Sequence, residues 1–172
     1  AADATSSYEL WKSDGTAAGT LMVKDISVGS QGSNPNNLIN IGGMLLFKAT
    51  GGPGLGEVWK SDGTSAGTVL LKDSADGATS AAPPDYFTNV GGNVFFTVTT
   101  NTSGAALWKS DGTTAGTVLV RSFPEATLAD YGLRFLTNTG GKLLFAVQDA
   151  NRKPLLWTSD GTGAGTVLLQ AG

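Results

Sequence analysis

The chain contains neither cysteine nor histidine among its 172 residues. Without cysteine it has no disulfides, no thiolate nucleophile and no zinc site built on thiolates. Without histidine it lacks the commonest general base and the commonest ligand of transition metals. The sequence therefore predicts no metal site and no cofactor.

Charge and long apolar runs are also scarce. Only 15% of the residues are charged, the formal net charge is −3, and the lysines and arginines are scattered singly. Since nucleic-acid binding requires a basic patch, the sequence predicts no nucleic-acid partner. No apolar run approaches the ~18 residues of a membrane-spanning helix. The N-terminus shows no secretion signal, and we expect that any such signal was removed or never included.

Repetition is what the chain has in abundance. A ten-residue motif, W-(K/T)-S-D-G-T-x-A-G-T, occurs four times, with spacings of 48, 49 and 49 residues. Its copies begin at Trp11, Trp59, Trp108 and Trp157. A Gly-Gly pair recurs in step with it, at Gly42, Gly91 and Gly140. Self-similarity at a fixed period of this length indicates a repeat architecture.

Each complete unit contains four short apolar segments, here called A, B, C and D, without a helical period. The Gly-Gly pair between A and B predicts a tight hairpin. Segment B, for example 44–49, is apolar at consecutive positions, which predicts a strand covered on both faces. The tryptophan lies in segment C. The chain thus predicts a C–D pair followed by three A–B–C–D sets, fourteen strands in all.

Four-stranded meanders with a period in the forties are typical of a β-propeller. We therefore expect an all-β propeller of four-stranded antiparallel blades, with about three and a half blades in one repeat array over residues 1–172. The partial blade comprises 1–26, and the complete blades comprise 37–73, 86–122 and 134–169. A β-sandwich and an open solenoid are the alternative architectures.

The Ser-Asp-Gly-Thr turn between C and D has a structural explanation. An aspartate side chain accepts hydrogen bonds from backbone N–H groups just after it, and the glycine supplies a positive φ. We predict this structural role for Asp14, Asp62, Asp111 and Asp160. Calcium binding is the alternative, but each turn offers one carboxylate where calcium takes six to eight oxygens. The tryptophans are expected to pack between blades, with sugar stacking as the alternative.

The segment Glu9-Leu10-Trp11-Lys12-Ser13-Asp14-Gly15-Thr16 resembles the ELWxxDGT repeat family of bacterial proteins, and the match recurs at the other three tryptophans. The last two copies lack the glutamate, having Ala106 and Leu155 in its place. The resemblance implies a propeller in an extracellular or cell-surface setting. It implies no established reaction.

The loops differ in how closely they repeat. The A–B and C–D turns are nearly identical in every unit and lie on one rim, whereas the B–C and D–A loops vary and lie on the other rim. Variable loops on a rigid scaffold commonly carry recognition, although they can also drift without function. The candidate ligand contacts on this rim are Asp85, Tyr86, Asn101, Asp130, Tyr131, Arg134, Asn151 and Arg152.

The partial blade suggests assembly, because three and a half blades cannot close a ring and an unpaired strand edge invites another chain. The leading hypothesis is a non-enzymatic extracellular module for protein interaction or self-assembly, through the open edge or the variable rim. Its partner would be a further copy, in an oligomer or filament, or the remainder of a longer propeller. The alternatives are a carbohydrate-binding propeller and, less favoured, a glycoside hydrolase using Glu125 and Asp130.

Overall fold

The computed structural model describes residues 8–29, 31–51, 56–73, 81–100, 104–126, 132–149 and 151–170. This part of the chain forms fourteen β-strands and contains no helix. The strands are β1 Leu10–Lys12, β2 Leu21–Lys24, β3 Asn36–Ile41, β4 Met44–Ala49, β5 Glu57–Ser61, β6 Val69–Lys72, β7 Ala81–Val90, β8 Asn93–Thr100, β9 Gly104–Ser110, β10 Val118–Phe123, β11 Leu133–Asn138, β12 Leu143–Gln148, β13 Pro154–Ser159 and β14 Val167–Gln170. Within these residues, no segment is a helix that could span a membrane.

The strands pair into four antiparallel sheets that follow one another along the chain. Sheet 1 has two strands, β1 and β2, in the described part of the chain. Sheets 2, 3 and 4 have four strands each, β3–β6, β7–β10 and β11–β14, and each is a meander of sequential neighbours. The predictions of an all-β fold and of antiparallel four-stranded units after a two-stranded one are confirmed.

The hydrophobic core is divided into three clusters, and each cluster joins two consecutive sheets. The cluster between sheets 1 and 2 contains Leu10, Val23, Ile26, Phe47 and Ala49. The cluster between sheets 2 and 3 contains Ile41, Leu46, Val58, Leu71, Val94, Phe96 and Val98. The cluster between sheets 3 and 4 includes Phe95, Leu107, Val120, Phe123, Leu143, Phe145 and Val147. Every sheet is therefore held to its neighbour by side chains rather than by strand pairing.

The second strand of sheets 2 and 3 is covered on both faces. In β4, Leu46 packs in the cluster with sheet 3 while Phe47 packs in the cluster with sheet 1, and both are fully buried. In β8, Phe95 and Phe96 divide in the same way between sheets 4 and 2. Successive side chains of a strand point to opposite faces. The consecutive apolar residues of segment B thus follow from its position between two sheets.

The first strand of each complete sheet carries a bulge that the sequence does not predict. Asn37, Tyr86 and Phe135 occupy equivalent positions and have positive φ values of 54°, 55° and 58°. The strand register shifts around each of them. Asparagine enters this backbone region readily, but tyrosine and phenylalanine do so rarely. Recurrence of the conformation in three sheets makes it a property of the repeat.

The strand bounds differ from the predicted limits of two blades. The sequence predicts one blade over 86–122 and the next from 134, whereas β7 begins at Ala81, β10 extends to Phe123 and β11 begins at Leu133. The prolines at 83 and 84 conceal the start of β7, because proline cannot donate to a strand ladder. They fall in an interruption of the ladder, between the pairs Ala82↔Thr99 and Asp85↔Thr97.

Candidate functional site

The four Ser-Asp-Gly-Thr turns share one hydrogen-bond network. In the turn of sheet 3, Asp111 Oδ1 accepts from Thr113 N at 2.8 Å and from Thr113 Oγ1 at 2.7 Å. Thr113 Oγ1 accepts from Gly116 N at 2.9 Å, and Ser110 Oγ lies 2.8 Å from Thr117 Oγ1. The other three turns repeat these contacts to within 0.1 Å. The aspartate side chains are thus engaged within their own turns.

These hydrogen bonds favour the ionised aspartates. Bonds from the side chain and backbone of Thr64 lower the pKa of Asp62 from its ordinary value of 3.8, and the positive charge of Lys12 on sheet 1 adds to the effect. The pKa of Asp14, Asp111 and Asp160 is lowered in the same way by the threonine two residues on. Within the described part of the chain, no group of three or more acidic side chains could hold a metal ion.

A lysine at the end of segment C connects successive sheets on the rim of uniform turns. Lys12 Nζ donates to Gly63 O at 2.8 Å, and Lys60 Nζ donates to Gly112 O at 2.9 Å. Each bond runs from one sheet to the C–D turn of the next. Sheet 4 has Thr158 at this position, and its hydroxyl donates to Leu143 O within the same sheet.

Segment D carries a second cation directed at the following sheet. Lys24 Nζ donates to Thr68 O at 2.8 Å, and Arg121 Nη1 donates to Thr166 O at 3.0 Å. The Arg121 guanidinium also lies 4.8 Å from the centre of the Trp157 ring. These contacts join a cation of one sheet to a backbone carbonyl of the next, at equivalent places.

Asparagines before the Gly-Gly turns form a ladder across sheets 2, 3 and 4. Asn89 Nδ2 donates to Asn40 O at 3.2 Å, and Asn138 Nδ2 donates to Asn89 O at 2.9 Å. The Oδ1 atom of each asparagine accepts from the second glycine of its own turn. The sequence signal for this ladder is the recurrence of asparagine two residues before Gly-Gly.

The glutamates of the ELW segment organise the opposite rim. Glu9, which is 2% exposed, accepts from Ile26 N at 2.9 Å, from Ser33 N at 2.8 Å and from Ser33 Oγ. Glu57 accepts from Gly51 N at 2.9 Å and from Trp59 Nε1 at 3.4 Å. Both carboxylates therefore hold loop backbone in place. The sequence pattern marks these residues but does not reveal their partners.

The residues proposed for the variable rim are only partly brought together. Asp85 Oδ1 accepts from Asn37 Nδ2 at 2.8 Å, which joins sheets 2 and 3, and Tyr86 is 37% exposed. Both lie in β7, and Arg134 lies in β11, so these three residues are in strands rather than loops. Asn151 and Arg152 lie in the loop between β12 and β13. Asn101, Asp130 and Tyr131 lie outside the described residues.

A cavity of about 250 Å³ opens between sheets 3 and 4, lined mainly by apolar groups together with Arg121, Glu125 and Asp149. Trp157, which also lines it, stacks on Phe145 and carries Arg121 over its ring. The buried Nε1 atoms of Trp157 and Trp11 have no hydrogen-bond partner among the described residues, whereas Trp59 Nε1 donates to Glu57. Asp149 Oδ1 accepts from Asn151 N and Lys153 N.

Sheet 4 exposes apolar residues at positions that the other sheets bury. We call the face of each sheet that packs on the following sheet its forward face, and the opposite face its rear face. The residue before each tryptophan belongs to the forward face. Its exposed fraction is 5%, 0% and 0% in sheets 1, 2 and 3 but 38% in sheet 4. These residues are Leu10, Val58, Leu107 and Leu156.

Segment D shows the same difference. Its forward-face residue is 8%, 4% and 8% exposed in the first three sheets but 54% exposed in sheet 4. These residues are Val23, Leu71, Val120 and Leu169. Leu144 on β12, the equivalent of the buried Leu46 and Phe95, is half-buried. Sheet 4 therefore keeps apolar residues where the other sheets bury them, and no described residue covers them.

No protein-family model matches the chain, and no curated protein or solved structure matches it.

Proposed function

We propose that the chain is a non-enzymatic assembly module of the β-propeller type, which binds a second copy of itself through the forward face of sheet 4. The observation that carries this proposal is the exposure of Leu156 and Leu169 at positions that the other sheets bury. Face-to-face packing of four-stranded meanders at a fixed period supports the propeller architecture. The resemblance to the ELWxxDGT repeat family supports an extracellular or cell-surface setting.

The size of this face sets the strength of the association. Complete burial of a leucine side chain contributes about 1.5–3 kcal/mol. Leu156 and Leu169 are 38% and 54% exposed, so only part of this contribution is still available from each. Association must also offset the lost rotational and translational freedom of a molecule. We therefore expect reversible assembly that depends on concentration.

The competing functions receive less support from the geometry. The ring of Trp157 contacts Arg121 and Phe145. The ring of Trp108 lies beneath the ammonium group of Lys72, and Trp59 packs against a hydrophobic cluster. Sugar stacking requires an open aromatic face, so these tryptophans do not favour carbohydrate binding. A hydrolase would need two carboxylates placed on either side of the bond to be broken. Of the two acids considered for that role, Glu125 is an exposed residue of the cavity and Asp130 lies outside the described residues.

The test compares the solution mass of the wild-type chain with that of Leu156→Asp, by light scattering across a dilution series. Leu168→Asp is the matched control: Leu168 is 43% exposed, and its equivalents Met22, Leu70 and Leu119 are also exposed, at 36–48%. We expect the wild type and Leu168→Asp to assemble as concentration rises and Leu156→Asp to remain at the 17.5 kDa of one chain. Equal masses for all three proteins would refute the proposal.

A further inference from the structure

We infer that the cavity between sheets 3 and 4 binds a small molecule that has an apolar body, the size of an aromatic ring with a short side arm, and one cationic group. The cavity has a volume of about 250 Å³ and lies among residues of the B–C loop of sheet 4 and of the D–A loop before that sheet. A dry apolar cavity of about 150 Å³ already takes a benzene ring. This cavity therefore has room for the ring and for the arm that carries the charge.

A glycine and a glutamate close the equivalent place in sheet 2. Gly51, in the B–C loop, lies so close to the ring of Trp59 that a Cβ atom at this position would collide with the ring. Glu57 is 8% exposed and accepts from Gly51 N at 2.9 Å and from Trp59 Nε1 at 3.4 Å. The loop of sheet 2 is thus held against its tryptophan.

Sheet 4 has different residues at both positions. By the strand pairing, Asp149 stands at the position of this glycine and Leu155 at that of this glutamate. Asp149 has a Cβ atom, so its loop cannot lie against Trp157 in the same way, and the side chain of Leu155 cannot bond to the loop. Both residues line the cavity. The cavity therefore follows from two positions at which sheet 4 departs from sheet 2.

Contacts between aromatic rings hold the apolar wall in place. Phe123 lies edge-on to Trp157, with 5.1 Å between the ring centres, and edge-on to Phe145, with 5.9 Å. Phe123 and Trp157 both line the cavity. The other apolar residues of the wall are Pro124, Ala126, Val147 and Leu155. Because this apolar site is already formed, a ligand need not reorganise it on binding.

Two carboxylates determine the charge that the cavity favours. Glu125 lines the cavity as an exposed residue, and Asp149 lines it as a half-buried one. Asp149 Oδ1 accepts from Asn151 N at 2.8 Å and from Lys153 N at 2.9 Å, which fixes the orientation of the carboxylate. A cationic group on the ligand can therefore approach two acidic side chains, one of which is already oriented.

Arg121 does not reverse this preference. It is the only cation among the described residues that line the cavity. Its Nη1 atom donates to Thr166 O at 3.0 Å, and its guanidinium lies 4.8 Å from the centre of the Trp157 ring. Arg121 is thus engaged by sheet 4 itself, and the two carboxylates outnumber it.

The test uses three probes of similar size: 2-phenylethylamine, which is cationic, 2-phenylethanol, which is uncharged, and 3-phenylpropanoate, which is anionic. Binding is followed by the indole N–H resonances of the ¹⁵N-labelled chain, at a concentration where light scattering gives a monomer. The signal of Trp157 is the one lost in Trp157→Phe, and Trp11 in sheet 1 is the internal control. We expect the amine to shift the Trp157 resonance with a Kd of about 1 mM and to leave the Trp11 resonance unchanged.

Two variants examine the body and the charge of the ligand separately. Leu155→Trp fills the cavity and should abolish the shift, whereas Leu70→Trp, at a 46% exposed position of sheet 2 outside the cavity, should not. Glu125→Gln should weaken binding of the amine by about threefold, as expected for an exposed ion pair, and leave binding of the alcohol unchanged.

The outcomes decide both parts of the inference. The site is refuted if no probe shifts the Trp157 resonance, or if the shift persists in Leu155→Trp. The cationic class is refuted if the alcohol or the propanoate binds as tightly as the amine, or if Glu125→Gln has no effect on the amine. Because Glu125 is exposed, its substitution leaves the core intact and keeps the test decisive even if Leu155→Trp fails to fold. The assembly function is not involved, since Leu156 lies on the opposite face of β13 from Leu155.

Discussion

Truncating the same repeat position in two sheets tests whether the forward face of sheet 4 is uncovered. Leu107 and Leu156 both precede a tryptophan, but Leu107 is 0% exposed and Leu156 is 38% exposed. Leu107→Ala removes buried atoms and leaves a cavity between sheets 3 and 4. Such substitutions lower the free energy of unfolding by about 2–5 kcal/mol.

Leu156→Ala should cost much less in the monomer. Leu156 is already partly in solvent, so no closed cavity forms and only a fraction of the transfer free energy is lost, about 1 kcal/mol. The two variants should therefore differ by about 1–4 kcal/mol in free energy of unfolding. The assay is equilibrium unfolding in urea, followed by tryptophan fluorescence, at a concentration where light scattering gives a monomer.

Concentration provides the internal control. As assembly covers Leu156, the cost of Leu156→Ala should rise, while the cost of Leu107→Ala should stay constant. The reasoning would be refuted if both substitutions were equally costly in the dilute monomer, since that result would place Leu156 in a covered core.

Three further predictions concern the turns, the loops and the strand bulge. Hydrogen bonds lower the pKa of the turn aspartates, so their stabilisation is fully present above pH 3.8 and is lost as pH falls through the lowered values. Asp111→Asn should therefore weaken the acid dependence of the free energy of unfolding, measured against pH, and an unchanged dependence would contradict this. Glu9→Ala removes the acceptor of four buried or partly buried donors and should lower the free energy of unfolding in urea by about 3 kcal/mol. A neutral effect would mean that the loop keeps its conformation without these hydrogen bonds. Phe135→Asn should stabilise by about 1 kcal/mol, since Phe135 is 69% exposed and asparagine tolerates its positive φ; a lower melting temperature would show that the ring is needed.

The parts of the fold that the sequence predicts are those governed by local chemistry. The Gly-Gly pairs supply the positive φ of a hairpin, with values of 58° and 89° at Gly42 and Gly43. The consecutive apolar residues of segment B follow from burial on two faces. The strand inventory could therefore be derived from turn residues and apolar runs alone.

The parts that the sequence does not predict depend on contacts between sheets or on unusual backbone. The left-handed residue of the first strand is Tyr86 in one sheet and Phe135 in another, and neither residue type signals such a conformation. The cations that reach the next sheet, such as Arg121, look like ordinary strand residues. The open forward face is visible only when Leu156 is compared with its buried equivalents in the folded chain.

The most direct test of assembly through the forward face of sheet 4 is a distance between copies, measured by pulsed electron paramagnetic resonance. The chain has no cysteine, so single spin labels can be placed without background. Ala164 is an exposed residue in the C–D turn of sheet 4, so a label can be placed there without altering the forward-face leucines. Copies that carry one label at Ala164→Cys are measured at a concentration where light scattering shows assembly, with and without the additional substitution Leu156→Asp. We predict a distance between labels on different copies that Leu156→Asp abolishes; a distance that persists in Leu156→Asp, or none without that substitution, would contradict assembly through this face.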